Sequence, residues 1–579
     1  VNKKDVVQAL EKIAVYLEIK GENPFKISAY RKAAQALEND DRSLAQIDDP
    51  SELKGIGKGT AQVIKELMET GESGLLKSLA EEIPESLLAL LKVPGLGAKK
   101  IGKLYQQLGI VDLDGLKRAC LEGRVRGLEG FGPKTEEKLL KAVENLSVRP
   151  ERLPIAYMLP LAETIEIALS EIQAIERFSR AGSLRRLNET LKDLDYVIAT
   201  AEPEAVAAAI KERLAVRSIT GAGSTKMSIV LDDEYGVAVD FRFVSPEAYA
   251  TALHHFTGSK EHNVEMRRLA KSRGEKISEY GVEREDGALL TFSSEADFFR
   301  HFGLAYIPPE IREGGEEVER AKAAEAFRLI EVGDIKADLH MHTTWSDGAY
   351  TIEEMAEAAI RKGYEYIVIT DHSQSLRVAG GLTAKRLREQ REAIDRLNEK
   401  YHGTLKIFAG VEMDILPDGR LDYEDDVLAE LDFVIAAIHS AFSQDVQTIM
   451  KRLYRAMENP YVRLIAHPTG RIIGGRPGYP VDMDGLIEKA RETGTALELN
   501  ANPNRLDLAA EWLKKCGERG VKIAINTDAH SLAMLDDMPT GVAMARKGWV
   551  QPDGVLNAMS LSEFEAFLKR PKKGVIDTL

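Results

Sequence analysis

The sequence predicts a multidomain chain with an α-helical N-terminal region, an α+β middle region and a C-terminal α/β barrel. Three observations carry that expectation. A chain of 579 residues exceeds what a single core organises, since domains run to about 150 residues each. Glycine-rich turns recur within residues 1–147, each followed by a helix-compatible run. In the last part of the chain, apolar β-branched runs alternate with helical ones, the pattern of a parallel sheet with crossover helices.

Composition narrows the function classes. There are 78 Lys+Arg against 93 Asp+Glu, a formal charge of −15. That excludes a chain cationic throughout, though a local basic face can still bind phosphates. Residues 1–150 are the least acidic stretch. The two cysteines, Cys120 and Cys516, exclude a disulfide framework or a thiolate zinc site and favour a reducing cytoplasm. Any metal is left to His and carboxylates. Apolar runs fall short of the roughly 18 residues of a membrane span, and VNKKDVVQAL lacks the apolar segment of a secretory signal. A cytoplasmic protein with no membrane partner is expected.

In the N-terminal region, DVVQALEKIAVYLEI and SAYRKAAQALEN carry apolar residues at three- and four-residue spacing. Three turns repeat at a period of about 36 residues, the length of a supersecondary unit: Gly55-Ile56-Gly57-Lys58, Gly95-Leu96-Gly97-Ala98-Lys99 and Gly130-Phe131-Gly132-Pro133-Lys134. Glycine permits the tight backbone, and unpaired amides at the following helix start suit a phosphate. A helix-terminating glycine would explain one such turn. Three with lysine in register favour nucleic acid. The segments resemble the helix-hairpin-helix motif, which implies DNA-backbone contacts at Gly55, Gly57, Lys58, Gly95, Gly97, Lys99, Gly130, Gly132 and Lys134.

In the middle region, Asp193 and Asp195 flank Leu194 ahead of the run YVIAT, so on a strand both carboxylates leave one face. Asp240 lies in GVAVDFRFV, a second strand. Three clustered carboxylates repel unless cations lie between them, and a pair of hard divalent ions suits a phosphoryl transfer. Upstream, Gly182-Ser183 offers a turn for a triphosphate, with Arg185 or Arg186 to neutralise it.

This arrangement resembles the nucleotidyltransferase superfamily, and a longer match identifies the family X DNA polymerases. Lys26-Ile27-Ser28-Ala29-Tyr30-Arg31-Lys32-Ala33-Ala34, the glycine turns, Gly182-Ser183 with the Asp triad, Gly223-Ser224-Thr225-Lys226 and Phe256-Thr257-Gly258-Ser259 stand in that family's order over about 310 residues. The resemblance implies template-directed filling of short gaps from deoxynucleoside triphosphates. Asp193, Asp195 and Asp240 would be catalytic and hold two Mg²⁺ or Mn²⁺, Asp240 assisting the primer hydroxyl. Gly182, Ser183 and Arg186 would bind the triphosphate, His255, Phe256 and Gly258 the sugar, Asn263 the base edge and Arg267 the template side. Lys26 matches a lysine that touches a 5′-phosphate, so gapped or nicked DNA with a 5′-phosphate is the expected partner. Two departures matter. His255 stands where animal repair members have Tyr, which puts ribonucleotide exclusion in question. Val63 stands where they have a Schiff-base lysine, and valine forms no imine, so lyase activity is not implied.

The C-terminal region gathers His340, His342, His372, His439, His467 and His530 at the ends of apolar strands, with acids at Asp347, Glu412 and Asp528. Parallel barrels collect their chemistry at strand ends, and the x-spaced pairs His340/His342 and Asp528/His530 place both side chains on one face. A single strand-end His is an ordinary structural residue; six with three acids are not. An open doubly wound sheet is the alternative to a barrel at this point. The pattern resembles the polymerase and histidinol phosphatase (PHP) domain, whose nine ligands bind up to three ions. All nine positions are filled by those residues, which implies a working phosphoesterase with Mn²⁺ and/or Zn²⁺. In family X polymerases the domain implies a manganese-dependent 3′–5′ exonuclease, 3′-end cleaning and cleavage at abasic sites. Arg377, Arg471 and Arg476 are candidate phosphate holders.

The resulting division is residues 1–80 as an N-terminal helical DNA-binding domain resembling the family's 8-kDa domain, 81–147 as helix-hairpin-helix fingers, 148–246 as the nucleotidyltransferase palm, 247–315 as the thumb, 316–333 as a linker leading into a helix and 334–579 as the PHP domain. A monomer is expected. The rival readings are a small-molecule phosphatase joined to an RNA or metabolite nucleotidyltransferase, and a non-enzymatic end-binding scaffold. The glycine turns and thumb segment count against the first, the complete ligand sets against the second.

Overall fold

The computed structural model describes residues 3–40, 42, 44–147 and 150–572. They form two compact units, one of Val1–Pro150 with His342–Met355 and Ile369–Glu399, the other of Glu151–Met341, Ala356–Val368 and Lys400–Leu579.

The first unit is built on short helices, chiefly Lys3–Lys20, Pro24–Asn39, Lys58–Thr70, Ala98–Leu108 and Pro133–Ser147. The amphipathic spacing read in the sequence buries one continuous core, including Leu10, Ile13, Leu17, Ile64, Leu87, Leu104 and Val143. Starts are capped by side chains: Asn23 accepts from the Phe25 N–H, Ser73 from that of Leu76 and Asp112 from that of Gly115. The three repeated turns have Gly55, Gly95 and Gly130 at φ +105°, +87° and +88°, a conformation that favours glycine. The reversal drives Ile56, Leu96 and Phe131 into the core. A short turn at Arg377–Ala379 packs on the first two helices, so Arg377 belongs to this packing region.

The second unit opens with the helix Ile155–Ser170 and a five-stranded sheet in the order Arg177–Ala181, Leu194–Ala199, Ala238–Val244, Lys226–Leu231, Val216–Ala222. Its central pair, Leu194–Ala199 and Ala238–Val244, is parallel. The segment expected as the thumb, 247–315, contains a small antiparallel sheet of Lys276–Ile277, Val282–Glu283 and Leu289–Leu290. Pairs of residues are too short to show alternation, so sequence periodicity does not reveal them. Within 316–333, expected as a linker leading into a helix, a single α-helical turn forms at Glu317–Arg320. There the Ala321 carbonyl accepts from the Ala305 N–H at 2.7 Å, a long-range bond that secures the end of the turn.

The last part is a sheet of seven strands, Ala337–Asp338, Tyr366–Ile369, Lys406–Asp414, Phe433–Ala437, Val462–Ile465, Ala496–Asn500 and Ile523–Asn526. Spatial order follows chain order throughout, whereas a doubly wound sheet reverses at a switch point. A parallel bridge between Met341 and Ala529, just past the first and last strands, brings the edges together as a nearly closed barrel. The strands are buried on both faces, which is why they read as continuous apolar runs. Leu556 and Phe564 complete the apolar core around Tyr366, Phe408 and Phe433. Among the described residues no helix is long and apolar enough to cross a membrane.

Candidate active sites

The acidic triad forms where strands meet. Asp195 pairs in register with Asp240 on the adjacent parallel strand and with Ala181 on its other side. Asp193 precedes the strand Leu194–Ala199 rather than lying in it. Burial, followed by the charges of Asp193 and Asp240, pushes the Asp195 pKa up. Crowded carboxylates of this kind fit divalent cations. The Ser228 hydroxyl donates to Asp240 Oδ1 at 2.5 Å, and Lys226 Nζ lies 3.7 Å from Oδ2. Gly182, at φ +58°, runs so close to the triad that a Cβ would sit 2.6 Å from Asp195 Oδ2. Only glycine admits that approach.

Beside the triad, Ser183 lies in the single turn Gly182–Arg185. The two candidate arginines part company. Arg185 is locked to Glu295 (2.6 and 3.1 Å) and to the Thr257 hydroxyl (2.9 Å), and Glu295 also receives the buried Arg312 at 2.6 Å. Burial works against the Glu295 charge, but Arg312 and Arg185 hold its pKa down to about 2. Arg186 instead reaches Thr257 O (2.8 Å) and Glu313 Oε1 (2.9 Å). His255 and Phe256 meet edge to face at 4.8 Å, with the Arg242 guanidinium 4.5 Å above Phe256. Asn263 Nδ2 donates to His255 O at 2.9 Å, while its buried Oδ1 finds no partner among the described residues. A Cβ on Gly258 would collide with His262 and Asn263. Arg267 is exposed on the helix Lys260–Ser272. His254, His262 and Glu317, unremarked in the sequence, form a buried chain, with 3.0 Å between the imidazoles and 2.9 Å from His262 to Glu317.

Of the residues expected to bind metal in the barrel, Glu412 lies within the strand Lys406–Asp414, His340, His372, His439, His467 and Asp528 lie two or three residues past strands, and His342, Asp347 and His530 lie further along the loops. In the second unit, Glu412 receives His340 (3.1 Å), His439 (3.0 Å) and His467 (3.0 Å). Asp528 lies 3.0 Å from His340, and His530 Nδ1 is 2.9 Å from the Asp528 carbonyl. His467 and Asp528 adopt positive φ, +27° and +54°, the strained backbone that clusters at functional sites. His467 Nδ1 is buried with no partner among the described residues. Burial opposes charge on His439, yet Glu412 and Asp414 raise its pKa to about 10; carboxylates likewise raise His340 against its burial. Anionic oxygens thus surround the imidazoles, an arrangement that fits cations. In the first unit, His342 stacks on His372 with ring centres 4.3 Å apart, and Asp347 lies 3.6 and 3.4 Å from the two. Asp371 organises that loop by accepting from Thr343 N (2.8 Å), Thr343 Oγ1 (2.7 Å), Ser346 Oγ (2.5 Å) and Gln390 Nε2 (2.7 Å).

Two supporting acids escaped the sequence reading. Glu498 receives His340 Nδ1 at 2.8 Å and Asn526 Nδ2 at 3.0 Å on one oxygen, and the His467 N–H at 3.0 Å on the other. Asp414 hydrogen-bonds His439 Nδ1. An acid in the apolar run ALELN was the available signal for Glu498. The candidate phosphate holders are otherwise engaged. Arg471 pairs with Glu189 at 2.7 Å, and Arg476 donates to Gly470 O at 2.8 Å.

In the first unit, Lys26, Lys58, Lys99 and Lys134 are exposed, and space in front of Gly57, Gly97 and Gly132 is open to 4 Å from a Cβ position. Val63 is buried in the helix Lys58–Thr70.

Family models match in four places: a helix-hairpin-helix domain at residues 1–73, a SAM-like helix-hairpin-helix tandem at 87–145, the DNA polymerase beta thumb at 252–313 and a PHP domain at 338–528. The DNA polymerase/3′-5′ exonuclease PolX of Bacillus subtilis (strain 168) is 59% identical over 570 residues, covering 98% of this chain and 100% of that protein. The chain belongs to the PolX family. Its C-terminal part alone is similar to smaller proteins: probable phosphatases of Thermoanaerobacter sp. (strain X514) and Caldanaerobacter subterraneus are each 31% identical over 249 residues, 41% of this chain and 96% and 92% of theirs. A PolX-family chain is thus a DNA polymerase joined to a PHP-type hydrolase.

Proposed function

We propose that this PolX-family enzyme fills short gaps in DNA and clears the 3′ ends it extends, using two separate sites. The observation that carries the reading is the coexistence of an in-register Asp195–Asp240 pair and a complete set of PHP ligand residues in one chain.

At the polymerase site, Asp193, Asp195 and Asp240 hold two Mg²⁺ or Mn²⁺, which when bound lower the pKa of the primer hydroxyl and offset charge on the leaving pyrophosphate. Asp240, which accepts from the Ser228 hydroxyl, would take the primer proton. Ser183 and Arg186 bind the triphosphate beside Gly182. His255, Phe256 and Gly258 shape the sugar pocket, the buried Asn263 Oδ1 meets the base, and Arg267 faces the template. At the PHP site, His340, His342, Asp347, His372, Glu412, His439, His467, Asp528 and His530 hold Mn²⁺ and/or Zn²⁺, up to three ions, supplying an activated water for phosphoester cleavage. Glu498 and Asp414 orient the imidazoles. The similarity of this half to probable phosphatases supports removal of 3′-phosphates as well as nucleotides, and the same activated water would serve cleavage at abasic sites.

Gapped or nicked DNA with a 5′-phosphate is held by Lys26 and by the turns bearing Lys58, Lys99 and Lys134. We assign the working form as a monomer in the cytoplasm, where its DNA and nucleotide substrates are found. The test is a labelled one-nucleotide gap, with and without a 3′-phosphate, incubated with Mn²⁺ and nucleotides. Asp195→Asn should abolish extension and spare trimming; His342→Ala should do the reverse. Loss of both activities in either variant refutes two independent sites, and incorporation that ignores the template base refutes the polymerase assignment.

A further inference from the structure

One carboxylate oxygen joins Arg186, next to the turn Gly182–Arg185, to the barrel half of the same unit. Glu313 Oε1 accepts from Arg186 Nε at 2.9 Å and from Lys547 Nζ at 2.8 Å. Lys547 is the last residue of the helix Met538–Lys547, beyond the sixth and seventh barrel strands. Its ammonium also donates to the Arg186 carbonyl and to Asn188 Oδ1, each at 3.1 Å. The neighbouring Arg546 grips Glu310 at 2.9 Å and the Ile330 carbonyl at 3.1 Å. The helix end is therefore anchored beside Arg186 and Asn188, and Lys547 is turned onto them. Side chains of Lys547 and Arg186 are only 16% and 12% exposed, whereas that of Glu313 is 41% exposed, so solvent screens the two cations less than the carboxylate they share.

We propose that Lys547 is a positioning residue for the polymerase, sharing Glu313 with Arg186 so that the guanidinium keeps its charge for a nucleoside triphosphate. The proposal rests on the reading of Arg186 as a triphosphate contact. Without the ammonium, the whole carboxylate charge falls on Arg186, whose charge it then offsets completely while pulling the side chain towards Glu313. With Lys547 in place, two cations divide one anion and the site keeps a net positive charge facing the phosphates. A residue of the hydrolase half thereby tunes nucleotide affinity in the polymerase half.

The test uses the full chain and steady-state single-nucleotide incorporation. Lys547→Met should raise KM for the nucleotide at least threefold with kcat within twofold, and Lys547→Arg should retain the wild-type KM. Adding Glu313→Gln to Lys547→Met should bring KM back towards wild type, because the surplus anion is gone. A purely structural lysine would not show that rescue. Exonuclease activity on the same preparations reports folding and should be unchanged. An unchanged KM in Lys547→Met, or a raised KM that Glu313→Gln does not restore, overturns the proposal. Arg186→Ala separates the two levels: if it leaves KM unchanged, the triphosphate reading itself fails.

Discussion

Glu498→Gln tests how far the barrel site depends on a residue that is not itself a ligand. The carboxylate accepts on both oxygens, from His340 Nδ1 and Asn526 on one and from the His467 N–H on the other, with Asn500 Nδ2 at 3.3 Å. An amide of the same shape has one oxygen. If that oxygen faces His467, the amide NH₂ meets the Asn526 NH₂ and His340 must present Nδ1 as an acceptor. Its proton then moves to Nε2, the nitrogen directed at Glu412, and a protonated nitrogen cannot bind metal. If the oxygen faces His340, the His467 amide is left without its acceptor in a fully buried setting. Either orientation costs roughly 1–3 kcal/mol for a buried donor without an acceptor. Loss of such an orienting partner weakens metal binding by about 10–100-fold, or about 1.4–2.7 kcal/mol. Equilibrium dialysis with Mn²⁺ reads the affinity directly, exonuclease assays at increasing Mn²⁺ should show activity partly recovered, and extension from a clean 3′-hydroxyl serves as the folding control. Wild-type Mn²⁺ affinity in Glu498→Gln would refute the orienting role.

Other outcomes follow from the same structure. Replacing Lys58 or Lys134 with Met should weaken binding to gapped DNA and reduce the salt slope by about 0.9 for each phosphate no longer neutralised; a fluorescence anisotropy titration over salt checks this. Val63 is buried and carries no amine, so borohydride should not trap the protein on a 5′-deoxyribose phosphate. Glu295 has its pKa held at about 2 against an ordinary 4.5. Its contribution is therefore complete above the unfolded value and is lost as pH falls through the folded one. The shift corresponds to about 3 kcal/mol. Denaturation of wild type and Glu295→Gln should differ by that order at pH 7 and converge as pH drops from about 4.5 towards 2; a gap independent of pH would refute the linkage.

Local spacing was enough to single out Asp193 and Asp195, His340 and His342, and Asp528 and His530 as candidates, although only Asp195 of the six lies within a strand, so loop conformation rather than strand alternation sets the direction of the others. The glycine turns were legible because positive φ at Gly55, Gly95 and Gly130 leaves a compositional mark. The barrel and the open sheet remained alternatives in the sequence, since both alternate strand and helix; the unbroken spatial order and the Met341–Ala529 bridge decide between them.

Partner choice lay beyond the sequence. Arg185 and Arg186 are adjacent and chemically identical, yet Glu295, 110 residues away, takes one, and Glu313 and Lys547 hold the other. Glu498 reads as one acid in an apolar strand until His340, 158 residues distant, is folded against it. Motif spacing encodes which groups a short segment presents, because backbone geometry is local. Which of those groups stays available to a ligand depends on how distant segments meet, and those meetings exist only once the chain is packed.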